Sequence, residues 1–531
     1  MSKPDLLDFL KDPLFYGPDV KSVKILQTHI SYVAITGKYA YKIKKAVNFG
    51  FLDFSTLEKR KHFCEEELRL NKRLSPDIYL KVIPITQEKD KLSINGEGEI
   101  VEYALKMKEF PQDQIMSSLL KKGKINEEII ERLCSRIVEF YKVSEDTEEI
   151  TEFGELDSVK QNIDENFEQT ESVIGKTISK QTFDFIKSVN NEFFKNKKSI
   201  FEKRTQAGFI KDCHGDLHSG NIVVTKEGKI NIFDCIEFNK RFRFIDVASD
   251  IGFLAMNLDY LNWPYLSSFL IRSYVEKSKD SSLFEILNFY KSYRAYVRGK
   301  VIGFALQDTN IAEDESKKLT EVAKKYFDLS KYYASLVSIQ INISKPILFM
   351  VSGLTGTGKS TLSGKIAVDY NAVYLNTDIV RKEIEGIDKF ERHHDQPNTG
   401  LYAPEKINTT YKSVIEKAEE ILKQGKNVVI DATFQKNIHR EMAKKAADKN
   451  NAIFVPILCT CPDTVAKKWL EERLKKKTAS DGRWEIYLSQ KKTFENYSPP
   501  DSAIMIDMSR DSYNYRMKIF ENIQNFVKEA I

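Results

Sequence analysis

Cysteine is scarce in this chain of 531 residues: the six are dispersed, and their spacing makes neither a disulfide framework nor a usual zinc pair. Cys459 and Cys461 form a C-x-C, and reduced thiols are expected throughout. Long apolar runs are missing too, since nothing approaches the roughly 18 apolar residues of a membrane span. The opening MSKPDLLDFLKD carries Asp5, Asp8 and Asp12 and lacks the basic-then-apolar order of a secretion signal, so a cytoplasmic protein is expected. Charge of one sign is nearly absent in excess: the net value is +5, which neither demands nor excludes a nucleic-acid partner. Lysine-rich stretches such as Lys467 to Lys477 read as solvated helix faces. What is present, 41% hydrophobic and 30% charged residues, is the composition of a globular protein. At about 100 to 200 residues per domain the length allows several folding units.

The most specific stretch is Pro346 to Thr361, PILFMVSGLTGTGKST. A β-rich apolar run leads into Gly353, Leu354, Thr355, Gly356, Thr357, Gly358, Lys359 and Ser360, which match the P-loop spacing G-x-x-x-x-G-K-S without substitution. Glycines let the backbone turn N–H groups onto phosphate oxygens, Lys359 would reach the β and γ phosphates, and Ser360 would offer a hydroxyl to Mg2+. ATP with Mg2+ is therefore the expected cofactor, bound by residues 353 to 361, Thr361 included.

In the first half, residues 22 to 47 read as two strands with a Thr36-Gly37 turn. Lys42 and Lys44 alternate with Tyr41 and Ile43 and leave one face of the second strand, so either could hold phosphate. From Ser55 a Ser-x-x-Glu capping box opens a helix carrying Glu65, Glu66 and Glu67, and Glu67 shares a side with Leu70 and Leu74. Tyr79 to Ile85 and Glu99 to Met107 read as strand-like, and Glu102 to Phe110 are expected to connect two lobes, where adenine would sit. Further on, Cys213-His214-Gly215-Asp216-Leu217-His218-Ser219-Gly220-Asn221 leads into a hairpin ending at Asp234. An aspartate, an asparagine five residues later and a second aspartate are the parts of a phosphoryl-transfer site: a base and two oxygen ligands for Mg2+.

HGDLHSGN with the following FD resembles the aminoglycoside phosphotransferase and choline kinase group, which has a protein-kinase-like bilobal fold. The resemblance implies Asp216 as catalytic base, Asn221 and Asp234 as metal ligands, His214 as a support of the catalytic loop, Lys44 or Lys42 as the strand lysine, and Glu67 as its partner. YKIKKAVNFGFLDFSTLEKR is similar to a bacterial and archaeal group of two-domain predicted kinases, a similarity that covers nearly the whole chain and leaves the acceptor open. Asp246 and Asp250 read as structural, the aromatic stripes that follow as core, and Ile339 to Lys345 as a linker.

After the P-loop, strands and helices alternate as in a parallel α/β sheet, whose ligands sit at the carboxyl ends of strands. Asp378 and Asp431 stand at such ends. Asp378 and Arg381, three apart at a helix start, would accept a hydroxyl proton and hold an anionic part of the acceptor. LNTDIVRK resembles the acceptor-side motif of P-loop polynucleotide kinases, zeta-toxin-like proteins and related small-molecule kinases, with the same two roles for Asp378 and Arg381. Asp431 would assist Mg2+ through water or orient the acceptor. Arg473, with Arg483, would form a mobile basic lid. His393, His394 and Asp395 read as a polar loop.

The expected fold is multidomain: an α+β protein-kinase-like bilobal domain over 1–340 (N-lobe about 1–110, C-lobe about 111–340), then an α/β P-loop domain with a parallel sheet over 341–531. The expected activity is transfer of the ATP γ-phosphate at two sites to a small-molecule or 5'-hydroxyl polynucleotide acceptor, with no membrane and no obligate protein partner. The alternatives are a single kinase whose other half senses nucleotide, and a P-loop ATPase switch without an acceptor.

Overall fold

The computed structural model describes residues 5–306, 311–388, 391, 399–474, 481–498, 502–510 and 513–530. The chain falls into two compact units, one of Met1–Gln161, Phe201–Asn257 and Glu276–Lys279, the other of Asn162–Ile200, Leu258–Val275 and Asp280–Ile531. The helices Leu283–Ala305 and Glu313–Asn342 thus group with the P-loop sheet.

The first unit begins with β1 (Lys24–Gln27), β2 (Ser31–Ile35), β3 (Tyr39–Lys44), β4 (Tyr79–Glu88), β5 (Lys91–Ile94) and β6 (Glu99–Lys108), ordered β1-β2-β3-β6-β4-β5 with every pairing antiparallel. Three strands, not two, precede the first long helix. The Thr28 hydroxyl accepts from the N–H groups of Ile30 and Ser31 and turns the chain between β1 and β2, a side-chain turn hidden within a β-branched stretch. The helix Leu57–Lys72 is capped by Thr56, whose side chain accepts from Lys59 N, while Ser55 is taken by Asp53; the cap therefore lies one residue later than the Ser-x-x-Glu pattern places it. β6 pairs along its length with β3 and β4 as far as Lys108. The segment Glu102–Lys108 is thus strand and not a connection, and only residues after Lys108 can join the lobes.

Beyond it come the helix Glu127–Val143, the short strands β7 (Ile210–Asp212), β8 (Ile222–Val224), β9 (Ile230–Ile232) and β10 (Phe244–Asp246), and the helix Val247–Tyr260. β8 and β9 form a hairpin, and β7 pairs antiparallel with β10. A sheet with one helix, followed by a helical lobe bearing short hairpins, is the protein-kinase-like arrangement.

In the second unit β11 (Ile347–Ser352), β12 (Ala372–Asn376), β13 (Asn427–Asp431), β14 (Ile453–Thr460) and β15 (Ile504–Asp507) form an all-parallel sheet ordered β12-β13-β11-β14-β15. All six residues of β11 are buried, as expected of a central strand covered on both faces. The helix Glu313–Asn342 runs through the first four residues of the expected linker, because Ile339 is buried and belongs to its apolar face. No described helix is long and apolar enough to cross a membrane.

Asp246 is structural, receiving Arg204 Nε at 2.6 Å and Nη2 at 2.8 Å in a buried pair and accepting from Ala248 N at 2.8 Å. Removing one member of such a pair leaves the other charge buried and uncompensated. Arg204→Met is expected to lower unfolding stability by about 3 kcal/mol in urea titrations, at unchanged m-value.

Candidate active sites

In the first unit, the strand period carries Lys42 and Lys44 to one face of β3, and the helix Leu57–Lys72 meets that face with Glu67. Lys42 Nζ lies 2.7 Å from Glu67 Oε1 and 2.8 Å from Asp234 Oδ1. Lys44 Nζ lies 2.7 Å from Glu67 Oε2 and also reaches Glu237. Both candidate lysines therefore share one glutamate, while Glu65 and Glu66 are engaged elsewhere: Glu66 pairs with Arg69 and Glu65 faces Lys61. Exposure separates the lysines. The Lys42 side chain is 15% exposed and that of Lys44 is 1%, so only Lys42 opens toward solvent and a ligand.

Burial pushes the Glu67 carboxyl up, but Lys42 and Lys44 outweigh it and hold the group down at about 2. Glu237 lies above the usual carboxylate range, because burial and the charge of Glu67 outweigh Lys44. Sequence reasoning missed Glu237. It stands three residues after Asp234 but 193 from Lys44, and nothing local in the sequence marks it as buried.

Asp234 adopts φ 64°, a left-handed conformation that aspartate tolerates better than most residues, and its N–H donates to the Tyr79 hydroxyl at 3.1 Å. Asn71 Oδ1 accepts from Cys235 N at 2.9 Å, and the two contacts fix the end of the hairpin. The loop of residues 213–221 is braced by the helix Val247–Tyr260. Asp250 accepts from His214 N at 2.9 Å and Gly215 N at 3.0 Å, and Asn257 Oδ1 accepts from Ser219 N at 3.1 Å. Gly215 has φ 84°, and a Cβ there would sit 2.7 Å from Phe242 O. His214 is buried, which lowers its basicity; its Nε2–H donates to Phe233 O at 2.9 Å, and its Nδ1 accepts from Asp216 N at 3.3 Å. These bonds hold Asp216 with its side chain 32% exposed. Asn221 Nδ2 donates to Asp216 Oδ2 at 2.9 Å and to Asp216 O at 3.1 Å. An asparagine that spends its amide hydrogens in this way retains its carbonyl oxygen as a ligand, and with the Asp234 carboxylate this gives an all-oxygen donor set suited to Mg2+.

In the second unit, Gly353 has φ 137°, and a Cβ there would lie 2.3 Å from Cys459 O, so the turn out of β11 requires glycine. Lys359 begins the helix Lys359–Asp369, and its Nζ donates to Leu354 O at 2.9 Å. Burial lowers the Lys359 ammonium's pKa, and the nearby charges acting on it include Asp431, Arg473 and Asp378. Asp431 is the last residue of β13, in register with Val351 of β11. Its Oδ2 accepts from Tyr374 Oη at 2.7 Å and Asn376 Nδ2 at 2.9 Å, two partners that sequence reasoning missed.

Asn376 also caps the helix Thr377–Ile384, accepting from Asp378 N and Ile379 N. Asp378 is therefore spared the capping role, and its Oδ1 lies 2.8 Å from Arg381 Nη1. Arg381 is buried over the Tyr402 ring at 4.7 Å, and its Nε has no hydrogen-bond partner among the described residues. Lys382 and Tyr402 both approach Asp481, each at 3.4 Å. Ser360 is exposed at the helix start, and Thr361 follows within it. Arg473 lies near the end of the helix Asp463–Leu474, and Arg483 precedes the helix Trp484–Thr493 with Glu485 at 3.7 Å. The residues between them, 475–480, and His393, His394 and Asp395 lie outside the described residues.

Residues 348–497 match the family model of an AAA domain. An uncharacterized protein of Mycobacterium bovis is 26% identical over 444 residues, covering 83% of this chain and 84% of its own, and the same figures hold for uncharacterized proteins of Mycobacterium tuberculosis. A choline/ethanolamine kinase family protein from Mesorhizobium loti covers 60% of this chain and 93% of its own, at 11% identity and a TM-score of 0.36. The APS kinase CysC of Mycobacterium tuberculosis, solved with AMPPNP and APS, covers 34% of this chain and 98% of its own, at 16% identity and a TM-score of 0.26. Sheet topology, the P-loop and the family match define a chain with two kinase-like parts, protein-kinase-like first and P-loop kinase-like second.

Glu67 ties stability to pH. Its folded pKa lies below the ordinary 4.5, so its contribution is fully present above that pH and is lost as the pH falls toward 2. Urea unfolding followed against pH is expected to show stability falling as the pH drops through that window. Glu67→Gln should be less stable at neutral pH and lose less over the same range.

Proposed function

We propose that the chain is an ATP-dependent phosphotransferase with two sites, each transferring the γ-phosphate to a hydroxyl. The observation that carries the reading is the contact of Lys42 with both Glu67 and Asp234, beside the hydrogen bond between Asn221 and Asp216. Phosphoryl transfer is mostly positioning and charge stabilisation, and these five side chains are held in place by partners buried around them. In the first site Lys42 binds phosphate oxygens while Glu67, fixed by Lys44, aims it. Asp216 orients the acceptor hydroxyl and takes its proton as the new O–P bond forms. In the second site the P-loop amides and Lys359 bind the phosphates, Asp378 receives the proton, and Arg381 holds an anionic part of the acceptor. Its buried Nε, without a hydrogen-bond partner among the described residues, supports that role, because an acceptor oxygen there would satisfy it. Mg2+, held by Asn221 and Asp234 in the first site and by Ser360 in the second, would neutralise charge on the phosphates. Small-molecule alcohols and 5'-hydroxyl polynucleotide ends are the acceptor classes proposed.

Transfer of labelled γ-phosphate into a pool of 5'-hydroxyl oligonucleotides, nucleosides, amino alcohols, sugars and aminoglycosides tests this. Asp216→Asn and Asp378→Asn are each expected to lower one labelled product by about 10²-fold or more and to spare the other. Label found only as free phosphate, indifferent to both substitutions, would replace the reading with an ATPase.

A further inference from the structure

The P-loop peptide between Leu354 and Thr355 is gripped from both sides. Its carbonyl accepts from Lys359 Nζ at 2.9 Å and from Thr357 Oγ1 at 2.8 Å. Its N–H donates to Gln490 Oε1 at 2.8 Å. Only the amide oxygen can accept from an N–H, so this bond also fixes which way the Gln490 carboxamide faces. Gln490 comes from the helix Trp484–Thr493, 135 residues further along the chain.

That helix is seated on the loop by its own packing. Tyr487 Oη donates to Asp463 Oδ1 at 2.8 Å, and Lys491 Nζ lies 2.6 Å from Asp463 Oδ2. Tyr487 also joins Ala466 and Leu470 in an apolar cluster that Leu354 packs against. Residues 487, 490 and 491 share one face of a helix, so the contacts that anchor it also present the carboxamide to the loop. The P-loop works by offering backbone N–H groups to phosphate oxygens. Gln490 Oε1 is a neutral oxygen bonded to one of them, on the same peptide whose carbonyl holds the phosphate-binding lysine.

We propose that Gln490 is a clasp on the P-loop that competes with nucleotide phosphate: its carboxamide oxygen holds the Thr355 N–H, and phosphate must displace it to take that donor. The inference rests on the P-loop being the nucleotide site of the second unit. A clasp and a scaffold predict opposite signs. If Gln490 only shaped the loop for phosphate, removing it would weaken binding. As a competitor, its removal strengthens binding. The helix that carries it starts just after Asp481, which faces Lys382 and Tyr402 on the acceptor side, so release of the clasp bears on an element shared with that side.

The test is calorimetric binding of ATP with Mg2+ to the full chain carrying Lys42→Ala, which silences the first site. Lys359→Ala in that background identifies the P-loop share of the binding. Gln490→Ala is expected to tighten that share about 3- to 10-fold, the value of one released hydrogen bond. Gln490→Glu is expected to weaken it by about 10-fold or more, since a carboxylate there would repel phosphate. Unchanged or weaker binding by Gln490→Ala, or no weakening by Gln490→Glu, overturns the clasp and leaves the P-loop assignment standing. Binding indifferent to Lys359→Ala overturns the P-loop assignment itself, and the clasp with it.

Discussion

A cation enclosed in a partly dry site needs an opposite charge beside it, or it costs the fold more than its burial can return. Two ammonium groups enclosed side by side on β3 would be strongly destabilising alone. Glu67 removes the difficulty by giving one oxygen to each, at 2.7 Å in both cases. The remaining charges extend the chain outward: Glu237 on the deep side of Lys44, Asp234 on the outer side of Lys42. Side-chain exposure rises along it, from 1% at Lys44 to 15% at Lys42 and 45% at Asp234. Charge compensation is therefore complete in the interior and open only at the end where a ligand arrives. The position of the helix Leu57–Lys72, the register of β3 and the hairpin ending at Asp234 all serve this one row of charges.

The second unit meets the same demand with backbone. Parallel pairing brings the ends of β11, β12 and β13 to one edge, and the register sets Val351, Asn376 and Asp431 level with one another there. Lys359 is held by a loop carbonyl, not by a carboxylate, and burial lowers its pKa where Lys42, among carboxylates, is raised. A lysine held by a neutral oxygen gives up less when it turns to a phosphate than one held by two carboxylates. The first unit keeps its lysine firmly aimed; the second keeps its lysine ready to move.

What could be read from the sequence was whatever is contiguous. The P-loop lies within one strand, turn and helix start, and its residues meet because they are neighbours. The loop from His214 to Asn221 was legible for the same reason. Lys42 and Lys44 were not separable, because strand period puts both on one face and only the depth of the facing helix decides which is enclosed. Glu237 was missed because its partner is distant in sequence. The strand character of Glu99 to Met107 was legible, but pairing with both β3 and β4 holds β6 in the sheet to its end, so a connection could not begin at Glu102. The expected linker failed likewise: Ile339 lies on the buried face of a helix, which no composition of seven residues can announce.

The role proposed for Asp378 asks for little base strength. In the proposed reading Asp378, 2.8 Å from Arg381, takes the acceptor proton, and the timing of that transfer decides how strong a base is needed. Phosphoryl transfer passes through a loose transition state in which the attacking hydroxyl has bonded little, so its proton stays until the new bond is well advanced. By then the oxygen is acidic, and an ordinary carboxylate suffices. Asp216 is in a comparable position, with an asparagine amide on one oxygen. In both sites the proposed base is held by a partner that fixes its direction, and for this chemistry direction is worth more than base strength.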